Sequence, residues 1–127
     1  MRWLKIDRVI AIHQLQIAEH GGAAELRDRG LLESALARPE NLIAYDQAAD
    51  APMLAAAYAF GIIKTHPFVD GNKRTGYVVM ETFLLLNAFV LNATPQNKFE
   101  VFLALAEGTL SENALADWLR LHAHPCP

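Results

Sequence analysis

Cysteine is nearly absent from this chain: there is one, Cys126, next to the last residue. A single thiol in that place builds neither a disulfide framework nor a thiolate zinc site, and such sparing use fits a reducing cytoplasm. An excess of positive charge is also missing. Eleven Lys and Arg stand against fourteen Asp and Glu, a formal net charge of −3, with a pI of about 5.9. That balance leaves no electrostatic footprint for direct nucleic-acid binding. No apolar run is long enough for a membrane: Pro52 to Ile63 is too short, and Gly76 to Ala93 is broken by Glu81, Asn87 and Asn92,. Met1 to Asp7 has no apolar stretch followed by a small-residue cleavage site, so no signal peptide is read there. Internal repeats, low-complexity linkers and alternating strand patterns of useful length are lacking as well. The expectation is a cytoplasmic protein.

What the chain does contain is apolar material in helical spacing. Its 127 residues are 53% hydrophobic, with a mean hydropathy of +0.14. That suits one domain, residues 1–127, with a core of its own. The pattern predicts an all-α fold, a compact bundle of about six helices around a buried central pair. Ile6 to His20 reads as a first helix, stopped by Gly21-Gly22,. Gly30 to Arg38 reads as a short second helix, ended by Pro39,. Asp50 is a good N-cap and Pro52 a good first-turn residue for a helix over Ala51 to Thr65,. That segment is apolar nearly all round, as a buried helix is. Lys73 to Ala88 makes the other central helix. Phe89 to Asn92 can be a short extended piece. Thr94-Pro95 opens a helix to Glu107, stopped by Gly108, and Ser111 caps a last one,. The tail from His122 to Pro127 reads as mobile,.

Between the central helices stands His66-Pro67-Phe68-Val69-Asp70-Gly71-Asn72-Lys73-Arg74. A helix N-terminus offers free backbone N–H groups and the positive end of a dipole. Gly71 lets the backbone turn tightly and approach a ligand, so an anion nest forms just ahead of Lys73. Lys73 and Arg74 add full charges, and Arg suits bidentate binding of phosphate. The Asn72 amide can donate to a phosphate oxygen. Asp70 would repel phosphates unless a cation lies between, and Mg²⁺ held by one carboxylate and nucleotide phosphates resolves that. His66 carries an imidazole, which can take a proton from an attacking hydroxyl. A plainer account makes His-Pro a helix end, Asp-Gly-Asn a turn and Lys-Arg a solvated first turn. Cations at a helix start are unfavourable by dipole logic, however, and an anionic ligand gives them a reason.

The same segment resembles the signature of the Fic/Doc superfamily, whose Fic pattern reads H-P-F-x-[D/E]-G-N-G-R-x-x-R. The match holds through Asn72 and again at Arg74. Lys73 replaces the second glycine, and Tyr77 stands where the last arginine belongs. Both departures resemble the Doc (death-on-curing) branch, as does Arg27-Asp28-Arg29-Gly30-Leu31-Leu32-Glu33-Ser34-Ala35-Leu36-Ala37-Arg38-Pro39 upstream. The resemblance implies a Fic/Doc-like fold and a toxin of a type II toxin–antitoxin module. Its activity would be that of a Mg²⁺-dependent protein kinase, moving the γ-phosphate of ATP to a hydroxyl of elongation factor Tu and stopping translation. Carried over by position, His66 is the base, Asp70 the Mg²⁺ ligand, and Gly71, Asn72, Lys73 and Arg74 the phosphate clamp. Two alternatives stand beside it: a Fic-type AMP transferase, and a catalytically degenerate binding partner. Many Fic proteins carry an inhibitory [S/T]-x-x-x-E-[G/N] helix. Here the Glu-Gly and Glu-Asn pairs at Glu107 and Glu112 are preceded, four residues back, by Leu103 and Gly108. The resemblance then implies a separate Phd-type antitoxin, whose helical tail docks in a groove.

Other residues take plainer readings. Lys64 is a snorkelling surface lysine, and His13 and His20 are surface or core histidines rather than metal ligands. His122 and His124 belong to the tail. Trp3, Tyr45 and Trp118 are packing anchors, and Tyr77 either packs or touches ligand.

Overall fold

Short polar side chains start most of the helices. In the computed structural model, which describes residues 1–127, α1 spans Ile6–His20, α2 Arg29–Tyr45, α3 Ala51–Thr65, α4 Asn72–Leu86, α5 Pro95–Glu107 and α6 Glu112–His122. Asp28, Asp50, Thr94 and Ser111 each accept a hydrogen bond from a first-turn N–H of α2, α3, α5 and α6, which satisfies one of the orphan donors there. The Arg120 guanidinium, bonded to both oxygens of Asp50, holds that capping carboxyl below the usual carboxylate range.

The bundle is the expected all-α one, and its axis is α3. Helices α2, α4 and α6 pack around it. Its buried faces are small, with Ala55, Ala56, Ala57, Ala59 and Gly61, and small residues let backbones approach closely. A β-carbon on Gly61 would sit 3.0 Å from the carbonyl oxygen of Ala35 in α2, and one on Gly76 of α4 would sit 3.1 Å from that of Ala59. Larger side chains of α4, among them Met80 and Phe83, fill the remaining core with Tyr58 and Leu54. Trp3 stacks on Phe83. Gly61→Ala should therefore force α2 and α3 apart at a backbone contact that no rotamer change relieves. A loss of about 1–3 kcal/mol is expected for overpacking, readable as a lower midpoint in urea with an unchanged slope.

Three expectations fail. Pro39 does not end α2, which continues to Tyr45. Proline denies the Ala35 carbonyl its helical partner, yet that carbonyl faces Gly61 across the α2–α3 contact and Pro39 itself is buried. Packing on α3 thus carries the helix through a local breaker. The tail is paired rather than mobile: β2 (Ala123–Pro125) runs antiparallel to β1 (Phe89–Leu91), and Cys126 N–H donates to Ala88 O at 2.7 Å. Tyr45 anchors nothing, being 92% exposed. Trp3 and Trp118 do pack on the core. No helix is long and apolar enough to cross a membrane.

Candidate active site

The loop between α3 and α4 is built on a strained residue. His66 closes α3 in the left-handed region, with φ 55° and ψ 54°, a conformation that non-glycine residues hold only when their surroundings impose it. Two neighbours impose it here. Pro67 disfavours a further helical residue before it, and Arg27 donates to the carbonyls of His66 (2.8 Å) and Thr65 (2.9 Å). The main chain of Glu25 to Asp28 then splints the loop. Arg27 and Asp28 N–H both donate to Pro67 O, Val69 N–H donates to Glu25 O, and Leu26 bridges Phe68 in antiparallel fashion.

Inside the loop, Asn72 is the fastener. It is 3% exposed. Its Oδ1 accepts from Phe68 N–H at 3.0 Å, and its Nδ2 donates to Phe68 O at 2.8 Å and to His66 Nδ1 at 3.0 Å. The two Phe68 contacts fix which end of the amide is oxygen, because the reverse assignment would set donor against donor. Nδ1 is therefore the accepting nitrogen of His66, and the neutral ring carries its hydrogen on Nε2. The expected bond from the Asn72 amide to a phosphate corrects to a different role, since both amide hydrogens are already used. The main-chain N–H of Asn72 is what remains for an anion.

Asp70 and Gly71 are moulded by α1. His13 Nε2 lies 2.7 Å from Asp70 O, and Ala23 N–H donates to Asp70 Oδ2 at 2.8 Å, which leaves Oδ1 without a partner. Gly71 has φ 80° and caps α4. A β-carbon there would be strained and would also lie 3.2 Å from Ile17 Cδ1.

Helix α4 starts with no side-chain cap. Its first backbone bond is Thr75 N–H to Gly71 O, so the N–H groups of Asn72, Lys73 and Arg74 have no main-chain acceptor. Lys73 and Arg74 take no part in any of the ion pairs. Arg74 instead lies 5.4 Å from the Phe102 ring centre and 3.4 Å from His20 Nε2. Tyr77 packs edge-on against Phe102 and donates to Glu81, while Lys98 is 3.7 Å from that same carboxylate.

These groups converge on one cleft. His66, Val69, Asp70, Gly71, Asn72, Lys73, Arg74 and Phe102 line a cavity of about 390 Å³. All six site residues read from the sequence border it. Phe102 was missed, because on α5 it looks like any other apolar position. His13 was read as a surface or core histidine, and it is a core one, 1% exposed, with nothing in the sequence to tie it to Asp70. Lys64 is exposed, and the histidines and acids form no group of three that could hold a metal ion alone. Asp70 fits a cation differently, by offering one free carboxylate oxygen beside unneutralised cations that would gather phosphates as the other ligands.

The physical consequence is an anion site: three free N–H groups, a dipole end and two unpaired cations. Removing either cation should weaken anion binding. Lys73→Ala and Arg74→Ala are each expected to raise the Kd for pyrophosphate by about tenfold or more, from charged hydrogen bonds of roughly 1.5–3 kcal/mol. Isothermal titration at low and high salt checks this, and the loss should shrink as salt rises.

A helix start with free N–H groups and unpaired cations, beside a histidine and a carboxylate on this bundle, defines a class. The sequence model of the Fic/DOC family matches residues 3–84, and the chain belongs to that family. It is similar to the protein kinase Doc of Escherichia phage P1, with 29% identity over 120 residues that cover 94% of each chain. It is also similar to the toxin Doc of Mycolicibacterium smegmatis, with 40% identity over 77 residues, 58% of this chain and 57% of that one.

Proposed function

We propose that this chain is a protein kinase toxin of the Doc branch, transferring the γ-phosphoryl group of ATP to a protein hydroxyl. One observation carries the reading. Lys73, Arg74 and the free N–H groups of the α4 start face the same cleft as His66 and the unpaired oxygen of Asp70. This supports the reading, because phosphoryl transfer needs a place for an anion and a proton acceptor side by side.

The work divides among the residues. Lys73 and Arg74 hold the phosphates, and the α4 N–H groups add fixed dipoles. Mg²⁺, when bound, neutralises phosphate charge, and Asp70 Oδ1 is the protein oxygen that would hold it. The substrate hydroxyl attacks the γ-phosphorus, the bond from that phosphorus to the β–γ bridging oxygen breaks, and ADP leaves. The hydroxyl proton goes to His66. Its one lone pair is at Nδ1, so the exposed ring turns from Asn72 to the incoming hydroxyl as it takes the proton. Val69 and Phe102 are the apolar part of the cleft lining, the surface on which an approaching peptide would exclude water.

The expected substrate is elongation factor Tu, with arrest of translation as the consequence, and the expected regulator is a Phd-type antitoxin. A separate regulator is supported within the molecule by the neighbours of Arg74. No carboxylate of the chain reaches it, Glu112 is taken up by Arg38, and Glu107 ends α5. The test is an intact-mass measurement on elongation factor Tu after incubation with the protein, Mg²⁺ and ATP. A gain of one phosphate is expected. A gain of AMP contradicts the kinase, and no gain contradicts the choice of substrate.

A further inference from the structure

We propose that His13 is a positioning residue that sets Asp70 for its cation, although it never reaches the cleft. The inference rests on the reading of Asp70 as a cation ligand. His13 is 1% exposed on the apolar face of α1, beside Val9 and Ile12. A leucine would fill such a place at lower cost, since a buried imidazole must find a polar partner. The partner it finds is the main-chain oxygen of Asp70, at 2.7 Å. A carbonyl only accepts, so Nε2 of His13 carries the hydrogen. The ring also lies flat on Phe68, with centres 3.7 Å apart and planes 7° from parallel, and it abuts Gly71.

Asp70 is thereby gripped twice, once from α1 and once from the loop that follows it. His13 holds its backbone, and Ala23, two residues beyond the Gly21 cap of α1, holds carboxylate Oδ2. Gly22 fits against the same side chain, since a β-carbon on it would lie 3.1 Å from Asp70 Cβ. With both ends fixed, Oδ1 has one direction left. His13 does not line the cleft, so its effect on any ligand passes through Asp70. Groups that orient a metal ligand typically cost ten- to hundredfold in metal affinity or activity when removed.

The test uses His13→Leu, which keeps the volume, and His13→Gln, whose amide keeps a donor. Mn²⁺ binding in the presence of ATP is followed by the electron paramagnetic resonance of free Mn²⁺ and read as the difference from a protein-free titration of Mn²⁺ with the same ATP, and ATP binding in EDTA is measured separately. For His13→Leu the half-saturating Mn²⁺ concentration should rise by roughly ten- to hundredfold, with ATP binding in EDTA unchanged, and His13→Gln should recover most of the loss. Equal Mn²⁺ binding by the wild type and His13→Leu overturns the inference and leaves the kinase reading intact. Equal weakening of ATP binding in EDTA also overturns it, because the loop as a whole would then have moved. Should His13→Leu fail to fold, the ¹⁵N spectrum of the wild-type ring decides: an Nε2–H tautomer supports the inference, and an Nδ1–H tautomer overturns it. A wild type that binds no Mn²⁺ with ATP removes the kinase reading and this inference together.

Discussion

His66→Ala should fold as the wild type does and transfer no phosphate. The side chain is exposed, and its one polar contact is the bond from Asn72, so its removal frees a single amide hydrogen at the open cleft, where water replaces the lost acceptor. The strained backbone at residue 66 is held by Arg27, Pro67 and the loop splint rather than by the ring. The melting temperature should stay close to that of the wild type. The chemistry is another matter. Positioned general bases contribute about 10²–10⁴-fold, and a loss of that size falls on kcat while the affinity for ATP, set by Lys73 and Arg74, stays the same. Expression of the variant should be harmless to growth where the wild type arrests it. Growth arrest by His66→Ala would show that the proton goes elsewhere.

Asn72→Leu should do the opposite and damage fold and activity together. Leucine keeps the branched outline of the amide but none of its hydrogen bonds, and its methyl groups add bulk at a filled position. Phe68, itself 1% exposed, is left with an unpaired N–H and C=O. Each buried unsatisfied group costs about 1–3 kcal/mol, so the sum approaches a large part of a small domain's net stability. Thermal unfolding should drop by several degrees, and phosphoryl transfer should vanish, since the loop no longer holds His66 and Asp70 on one cleft. Asn72→Asp separates the two effects. It keeps an acceptor for Phe68 N–H but sets a carboxylate against Phe68 O and invites a hydrogen onto His66 Nδ1. Stability should recover in part, and the ring should change tautomer. If Asn72→Leu retained wild-type stability, the role of fastener assigned to this side chain would be wrong.

How much of this lay open in the sequence can be argued from single residues. Asp50, Thr94, Ser111, Gly21 and Gly108 act within one turn of themselves, and the helices they bound begin or end where those residues stand. The site loop was equally legible, because His66, Asp70, Gly71, Lys73 and Arg74 are neighbours in the chain as well as in space. What stayed hidden depends on distant partners. Pro39 breaks a helix locally, and only the approach of Gly61 to Ala35 explains why α2 runs through it. The β1–β2 ribbon joins segments too short to show alternation. The bonds of His13, Ala23 and Arg27 to the loop span large separations in sequence, and nothing beside those residues announces them. Asn72 shows a subtler limit. Its place in the motif was plain, but whether its amide faces a ligand or its own loop is decided by Phe68, whose main chain takes it up first.

The cleft between α3 and α4 is proposed to transfer the terminal phosphate of ATP. The direct measurement is label transfer to elongation factor Tu from ATP carrying radioactive phosphorus at the α or the γ position, in Mg²⁺, with His66→Ala as the control. Label is expected from the γ position alone, and from neither position with the control. Label from the α position would contradict it and make the chain an AMP transferase.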